Sequence, residues 1–132
     1  MDWRDTTEVL RQQSYAPDTP IFVKSGFIEA RSPKWLNDEV RLGFLLAPIR
    51  MYPIPGTIVA LPHEPGPSSD GYMANEVRGL SSREEFFVVD RDKDAWPQWF
   101  RFRFGQTFTD EEIPIPSGRG ALVIRFRHRV RN

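Results

Sequence analysis

The stretch Trp99-Phe100-Arg101-Phe102-Arg103-Phe104 places a phenylalanine at every second position, with an arginine between neighbouring phenylalanines. Successive side chains of a β-strand point to opposite faces of the sheet, so a period of two is typical of a half-buried strand. The pattern predicts a strand whose phenylalanines face the core and whose arginines face outward. The fold expected for the rest of the chain depends on this interpretation.

The last stretch of the chain, residues 122–130, repeats the same pattern. Apolar side chains and one histidine alternate with arginines, which predicts a second two-faced strand. If both strands belong to one sheet, five guanidinium groups would share a face, and like charges opposite one another lower stability. These groups are Arg101, Arg103, Arg125, Arg127 and Arg129.

Such an arginine face needs acidic groups opposite it, and three sources are open. The protein's own carboxylates would pair with the arginines on a solvated sheet face, namely Asp90, Asp92, Asp94 and residues 110–112. An acidic surface of a partner protein is the second source, and the phosphate backbone of a nucleic acid is the third. Sheets that bind nucleic acid interleave exposed aromatic side chains with basic ones, whereas here the phenylalanines alternate away from the arginines.

Other segments predict further strands and little helix. Alternating or apolar runs at 21–28, 40–46, 57–61 and 86–89 are typical of strands, and a capping-box match of Asp5 with Glu8 predicts a short helix at about 5–15. Helices between the strands are too few for the crossovers of a parallel sheet. We therefore expect a mainly β fold, a small antiparallel barrel or two-sheet sandwich with a short N-terminal helix. Residues 1–132 would form one β-rich domain.

Residues from about 47 to 75 are rich in proline and glycine, which predicts a long exposed loop. Loops of this length in a compact domain are usually functional or mobile. Its apolar side chains, Tyr52 among them, suggest an arm that lies on a neighbouring subunit.

Composition excludes several classes of chemistry. The chain has no cysteine, so disulfides, thiolate metal sites and thiol nucleophiles are excluded. Its eighteen basic and eighteen acidic side chains give a net charge of zero, which argues against a surface designed as a whole for nucleic acid or anionic lipid. No run approaches the length of about eighteen apolar residues that crosses a membrane. We expect a cytoplasmic protein or a virion component, without membrane contact.

No motif predicts a catalytic residue, a metal ligand or a cofactor. The acids of residues 90–94 resemble the start of a calcium loop, but Ala95 stands where that loop needs glycine and Arg101 where it needs glutamate. His63 and His128 lie in distant segments and have no spacing typical of a metal site. Nucleophile and phosphate-binding motifs are absent from the sequence.

The remaining signals favour a binding role. Trp96, Trp99 and Tyr52 lie at segment ends or in loops, where amphipathic aromatics either close a small barrel or contact a partner. The leading hypothesis is a non-catalytic structural or adaptor subunit that docks other protein subunits in an oligomeric assembly of the virion, tail or secretion-apparatus type. The alternatives are a nucleic-acid-binding β-domain that uses the arginine face, and a small-ligand barrel or enzyme. The predicted partner-binding residues are Arg101, Arg103, Arg125, Arg127, Arg129, Trp99, Trp96 and Tyr52.

Overall fold

A computed structural model describes residues 3–24, 54–116 and 121–129. The described strands are β1 (Pro20–Val23), β2 (Thr57–Ala60), β3 (Glu85–Asp90), β4 (Phe108–Ile113) and β5 (Leu122–His128). The described α-helices are α1 (Trp3–Arg11), α2 (Asp70–Glu76) and α3 (Trp96–Phe104), and a 3-10 turn spans Leu80–Ser82.

The strands form a five-stranded mixed sheet in the order β2-β1-β3-β5-β4. β1 pairs in parallel with both β2 and β3, while β5 pairs antiparallel with β3 and β4. Over the described residues the sheet does not close into a barrel, and its parallel half departs from the antiparallel arrangement that the sequence predicts. Parallel strands need a long crossover connection, usually a helix. The helix α2 supplies one between β2 and β3, but it lies mostly in the segment predicted to be a loop, so the sequence did not indicate parallel strands.

Helices cover both faces of the sheet. On one face, Leu10 of α1 packs against the strands, and on the other face α2 and α3 do so. The first core contains the buried residues Leu10, Ile21, Val23, Ala60, Phe87, Val89, Ala121 and Val123. The second is larger and aromatic, and includes Phe22, Met73, Leu80, Phe86, Val88, Trp96, Phe100, Phe104, Phe108, Ile124 and Phe126.

The segment predicted to be a Phe-Arg strand is instead the helix α3. Trp96, Phe100 and Phe104 are four residues apart, so a helix brings them to one side, and all three are buried against the sheet. Pro97 lies in the first turn of the helix, where a backbone N–H would have no partner within the helix, so the missing N–H of proline is tolerated there. Phe102, which a strand would turn inward with Phe100, is 96% exposed. The prediction was wrong because Phe100 and Phe104 fit two patterns. They share the two-residue period of a strand with Phe102, and the four-residue spacing of a helix face with Trp96.

The final strand is confirmed as β5, but its two faces differ from the expectation. Ile124 and Phe126 face the aromatic core as predicted. Arg125, expected on a solvated face, is 7% exposed because α1 and the chain after it cover that side of the sheet. The arginine positions of β5 therefore split into buried Arg125 and exposed Arg127.

The other predicted elements have mixed outcomes. The N-terminal helix is present at Trp3–Arg11, and the strand expected at 57–61 is present as β2. The loop expected at about 47–75 contains β2 and most of α2, and Met73 of this segment is buried in the core. The predicted strand at 40–46 and Tyr52 lie outside the described residues.

Paired substitutions in α3 distinguish a helix from a strand. Phe100→Ala is expected to lower the free energy of unfolding by about 3–5 kcal/mol, because it removes a fully buried ring. Phe102→Ala, the matched control, is expected to change it by less than about 0.5 kcal/mol, because this ring lies in solvent. Urea unfolding followed by tryptophan fluorescence measures both, and similar losses in the two variants would contradict the helix.

Candidate functional site

The five arginines predicted to share one sheet face lie on different elements. Arg101 and Arg103 are on α3, Arg125 and Arg127 are on β5, and Arg129 follows that strand. The shared arginine face is therefore a wrong prediction, since it required residues 99–104 to be a strand. Each arginine has to be considered with its own surroundings.

Arg125 is a structural residue inside the protein. Its Nε donates to Glu85 Oε1 at 2.6 Å, and another guanidinium nitrogen donates to the Ser14 carbonyl at 2.7 Å. A third donates to Gln13 Oε1 at 3.4 Å, and the guanidinium lies 5.3 Å from the centre of the Phe87 ring. Because the group is buried and all three of its nitrogens donate within the chain, Arg125 belongs to the scaffold, while its contact with a partner stays a prediction.

Three of the other arginines also have partners within the chain. Arg101 Nε donates to Asp110 Oδ2 at 2.9 Å, and Arg127 lies 3.8 Å from Glu111 Oε1. Arg129 donates to the carbonyl of Gly105 at the end of α3. Three sources of acidic groups for these arginines were expected from the sequence. For Arg101 and Arg127 the structure has the first of them, which is the protein's own carboxylates.

Arg103 is the exception among these arginines. The described part of the chain gives it no carboxylate partner, and its guanidinium instead lies 5.2 Å from the centre of the Trp99 ring. An arginine over an indole is a favourable cation–π contact that leaves the donors of the guanidinium free for another molecule.

Trp96 anchors α3 from inside the core. Its indole Nε1 donates to the Pro62 carbonyl at 2.8 Å, and its side chain is fully buried. Its backbone N–H, at the start of the helix, donates to Asp90 Oδ2 at 3.2 Å. Trp96 therefore closes the core under α3, while its contact with a partner stays a prediction.

Asp90 sets where α3 begins. The carboxyl is fully buried and also accepts the N–H of Asp92 at 3.0 Å through Oδ1. Burial raises the pKa of Asp90 above its ordinary value, while the amide donors and Lys24 act in the opposite direction. A negative group at this end of a helix also matches the helix dipole. Residues 90–94, whose acids resemble the start of a calcium loop in the sequence, thus position the first turn of the helix.

The outer face of α3, defined by Trp99, Phe102 and Arg103, is the strongest candidate site. Trp99 is half-buried and meets Trp96 and Phe100 edge-on, so its position is held from below. Phe102 lies on the side of the helix opposite the buried row and is the exposed large hydrophobic residue of the described chain. Tryptophan and arginine dominate binding hot spots, and phenylalanine is enriched in interface cores.

Trp99 and Arg103 are among the partner-binding residues predicted from the sequence, whereas Phe102 was predicted to lie in the core. The missed signal was the four-residue spacing of Trp96, Phe100 and Phe104 after a charged turn, with Pro97 in the first helical turn. Once this spacing defines the buried side of the helix, Phe102 has to face away from the core.

The structure also places the histidines and acidic groups outside α3. Residues 3–24, 54–116 and 121–129 contain no cluster of three His, Cys, Asp or Glu side chains that would hold a metal ion. His128 packs edge-on against Phe108 at 5.3 Å, and buried His63 Nδ1 has no hydrogen-bond partner. A groove of about 770 Å³ is lined by the alternating charges of residues 91–94, by Glu112, and by the apolar residues 113–115 and 121–122.

Comparison with models of protein families, with curated proteins and with solved structures finds no match to this chain. Among the described helices, none combines the length and the apolar character needed to cross a bilayer.

The burial of Asp90 is expected to give stability a pH dependence. Because burial raises the pKa of this carboxyl, the folded chain keeps its proton at pH values where the unfolded chain has lost it. This group therefore lowers the free energy of unfolding as the pH rises above about 4. Asparagine does not ionise, so Asp90→Asn does not lose stability in this way. The free energy of unfolding of the variant minus that of the wild type should therefore increase between about pH 4 and 7. Urea unfolding across this range measures the difference, and a constant difference would refute the effect.

Proposed function

We propose that the chain is a non-catalytic docking subunit that binds another protein through the outer face of α3. The observation that carries this proposal is the 96% exposure of Phe102, on a helix whose other phenylalanines are buried. Covering one such side chain contributes about 1.5–3 kcal/mol to association. A phenylalanine at this position adds nothing to the core, since its ring contacts solvent.

The surroundings of Phe102 favour a specific interface over a chance apolar residue. Trp99 is fixed by Trp96 and Phe100 beneath it, so little side-chain entropy is lost when a partner covers it. Arg103 is held over Trp99 with its donors available. A rigid aromatic base with a free guanidinium beside it is the composition of an interface centre.

The charges around this face define the partner. Arg101, Arg103 and Arg129 lie on α3 or against its C-terminal end, and Asp110 is paired with Arg101. The complementary surface is an apolar pocket for Phe102 with carboxylates at its rim for Arg103. Subunits of virion, tail or secretion-apparatus assemblies would meet this need, and a cytoplasmic or virion location would follow.

The nucleic-acid alternative has lost its main support. Contact with several phosphates needs several free cations, whereas Arg125 is buried and Arg101 and Arg127 are already paired with carboxylates. A single tryptophan and one free arginine on α3 supply too few contacts for a backbone-tracking groove.

A photo-reactive amino acid placed at position 102 tests this proposal in cells that naturally make the protein. We expect it to yield a covalent adduct with one protein, which mass spectrometry identifies and whose surface is acidic around an apolar pocket. The same amino acid at Asp94, an exposed position on the charged turn, is the control. Equal adducts from both positions, or adducts with nucleic acid at position 102, would overturn the proposal.

Purified partner then allows affinity to be measured. Phe102→Ala is expected to weaken binding by about tenfold or more, as hot-spot aromatics do. Arg103→Glu should weaken it further and make the remaining affinity rise with added salt, because it places like charges opposite one another. Glu112→Gln on β4 is the control and should bind as the wild type does. Unchanged affinity in Phe102→Ala would remove α3 from the interface.

A further inference from the structure

The strand β4 is the last in the order β2-β1-β3-β5-β4, so one of its sides has no neighbouring strand within the described residues. Residues 109–112, the middle of this strand, are all exposed. The backbone N–H and C=O groups on the free side of such a strand can pair with a strand of another chain. We call this side of β4 the open edge.

The pairing of β4 with β5 defines which backbone groups face the open edge. The N–H of Arg129 donates to the carbonyl of Thr107 at 2.9 Å, and in an antiparallel ladder such hydrogen-bonded pairs recur at every second residue. The odd-numbered residues of β4 therefore bond to β5, while Asp110 and Glu112 direct their N–H and C=O groups outward. Among the described residues these outward groups have no hydrogen-bond partner.

The strand at the opposite end of the sheet, β2, differs from β4 in this respect. The N–H of Leu61 donates to the Val23 carbonyl of β1, so the preceding residue, Ala60, directs its carbonyl away from β1. That carbonyl accepts the hydroxyl of Tyr72 on α2 at 2.7 Å. A side chain of the protein thus occupies part of the free side of β2, whereas β4 has its outward groups open.

The acidic side chains of β4 restrict what can pair with the open edge. Asp110, Glu111 and Glu112 follow one another, so two copies of β4 side by side would place carboxylates against carboxylates, which lowers stability. Arg101 and Arg127 offset part of this charge through ion pairs at the surface, where such pairs are weak. A strand with lysine or arginine side chains would instead place opposite charges together, so the charges of the edge favour a basic partner over a second copy.

We propose that the open edge of β4 binds an extended basic segment of another protein as an additional strand. The backbone of the segment pairs with the outward N–H and C=O groups of Asp110 and Glu112, and its cationic side chains lie opposite the carboxylates. Backbone hydrogen bonds supply the affinity in this kind of recognition, and side chains supply the choice of partner. The site consists of backbone groups of β4 and excludes the outer face of α3, so the inference is independent of the docking function.

Nuclear magnetic resonance of the full chain with a synthetic peptide tests the proposal. The peptide has about six residues, the usual length of a strand, and lysine alternates with threonine along it. At saturation we expect amide hydrogen exchange to slow several-fold at Asp110 and Glu112, because their N–H groups gain partners. Thr109 and Glu111, which already bond to β5, should change less. Unchanged exchange at Asp110 and Glu112, or greater slowing at Thr109 and Glu111, would overturn the proposal.

A modified peptide separates strand pairing from attraction between opposite charges. N-methylation of its backbone nitrogens keeps every charge but removes the donors, and it is expected to weaken binding about tenfold or more. Equal affinity of the methylated peptide would show that backbone pairing is not used, and would overturn the proposal. Slow exchange at Asp110 and Glu112 in concentrated protein without peptide would do so too, because a second copy of the chain would then be the occupant.

Matched substitutions in the protein locate the site. Glu112→Lys is expected to weaken peptide binding several-fold, because it places a like charge opposite the lysines. Glu64→Lys makes the same change of charge at an exposed position after β2, at the other end of the strand order, and should leave the affinity nearly unchanged. Equal weakening in the two variants would contradict binding at β4, since it would mean that only the total charge matters.

Discussion

Phe86 is the centre of the packing that joins the sheet to α3. Its ring stacks on Phe126 of the adjacent strand, with 4.6 Å between ring centres. From α3, Phe100 and Phe104 approach the same ring at 5.5 and 5.8 Å. Both can reach it only if they leave the same side of their segment, which their four-residue spacing permits in a helix. The outward direction of Phe102 follows from this contact, and the proposed docking surface depends on it.

The opposite face of the sheet is held by a buried charge as well as by apolar packing. The Arg125 guanidinium connects Glu85 of β3 to the chain that follows α1, through the Ser14 carbonyl. A buried arginine is tolerated only when its donors are used, and here they are. An arginine that the sequence pattern places on a solvated sheet face is thus part of the scaffold. The proposed docking surface consists instead of residues that the scaffold leaves uncovered.

Some apolar surface and one charge on α3 have no role in these contacts. Phe102 is exposed where the core has no need of it, and the Arg103 guanidinium lies over Trp99 with no carboxylate partner among the described residues. Local choices that oppose stability mark functional positions in otherwise consistent folds. The proposed docking function rests on these features of α3.

The sequence by itself determined β5 with its inward Ile124 and Phe126, the N-terminal helix, β2 and the absence of thiol chemistry, because each has a single periodicity or a simple compositional basis. It did not determine the conformation of residues 99–104, since their aromatic positions fit both a strand and a helix. Only the tertiary structure decided this, because Phe86 and Phe126 offer a surface that three aromatics of a helix fill together. Burial of Arg125 was likewise decided by packing, since α1 covers a face that local pattern treats as solvated.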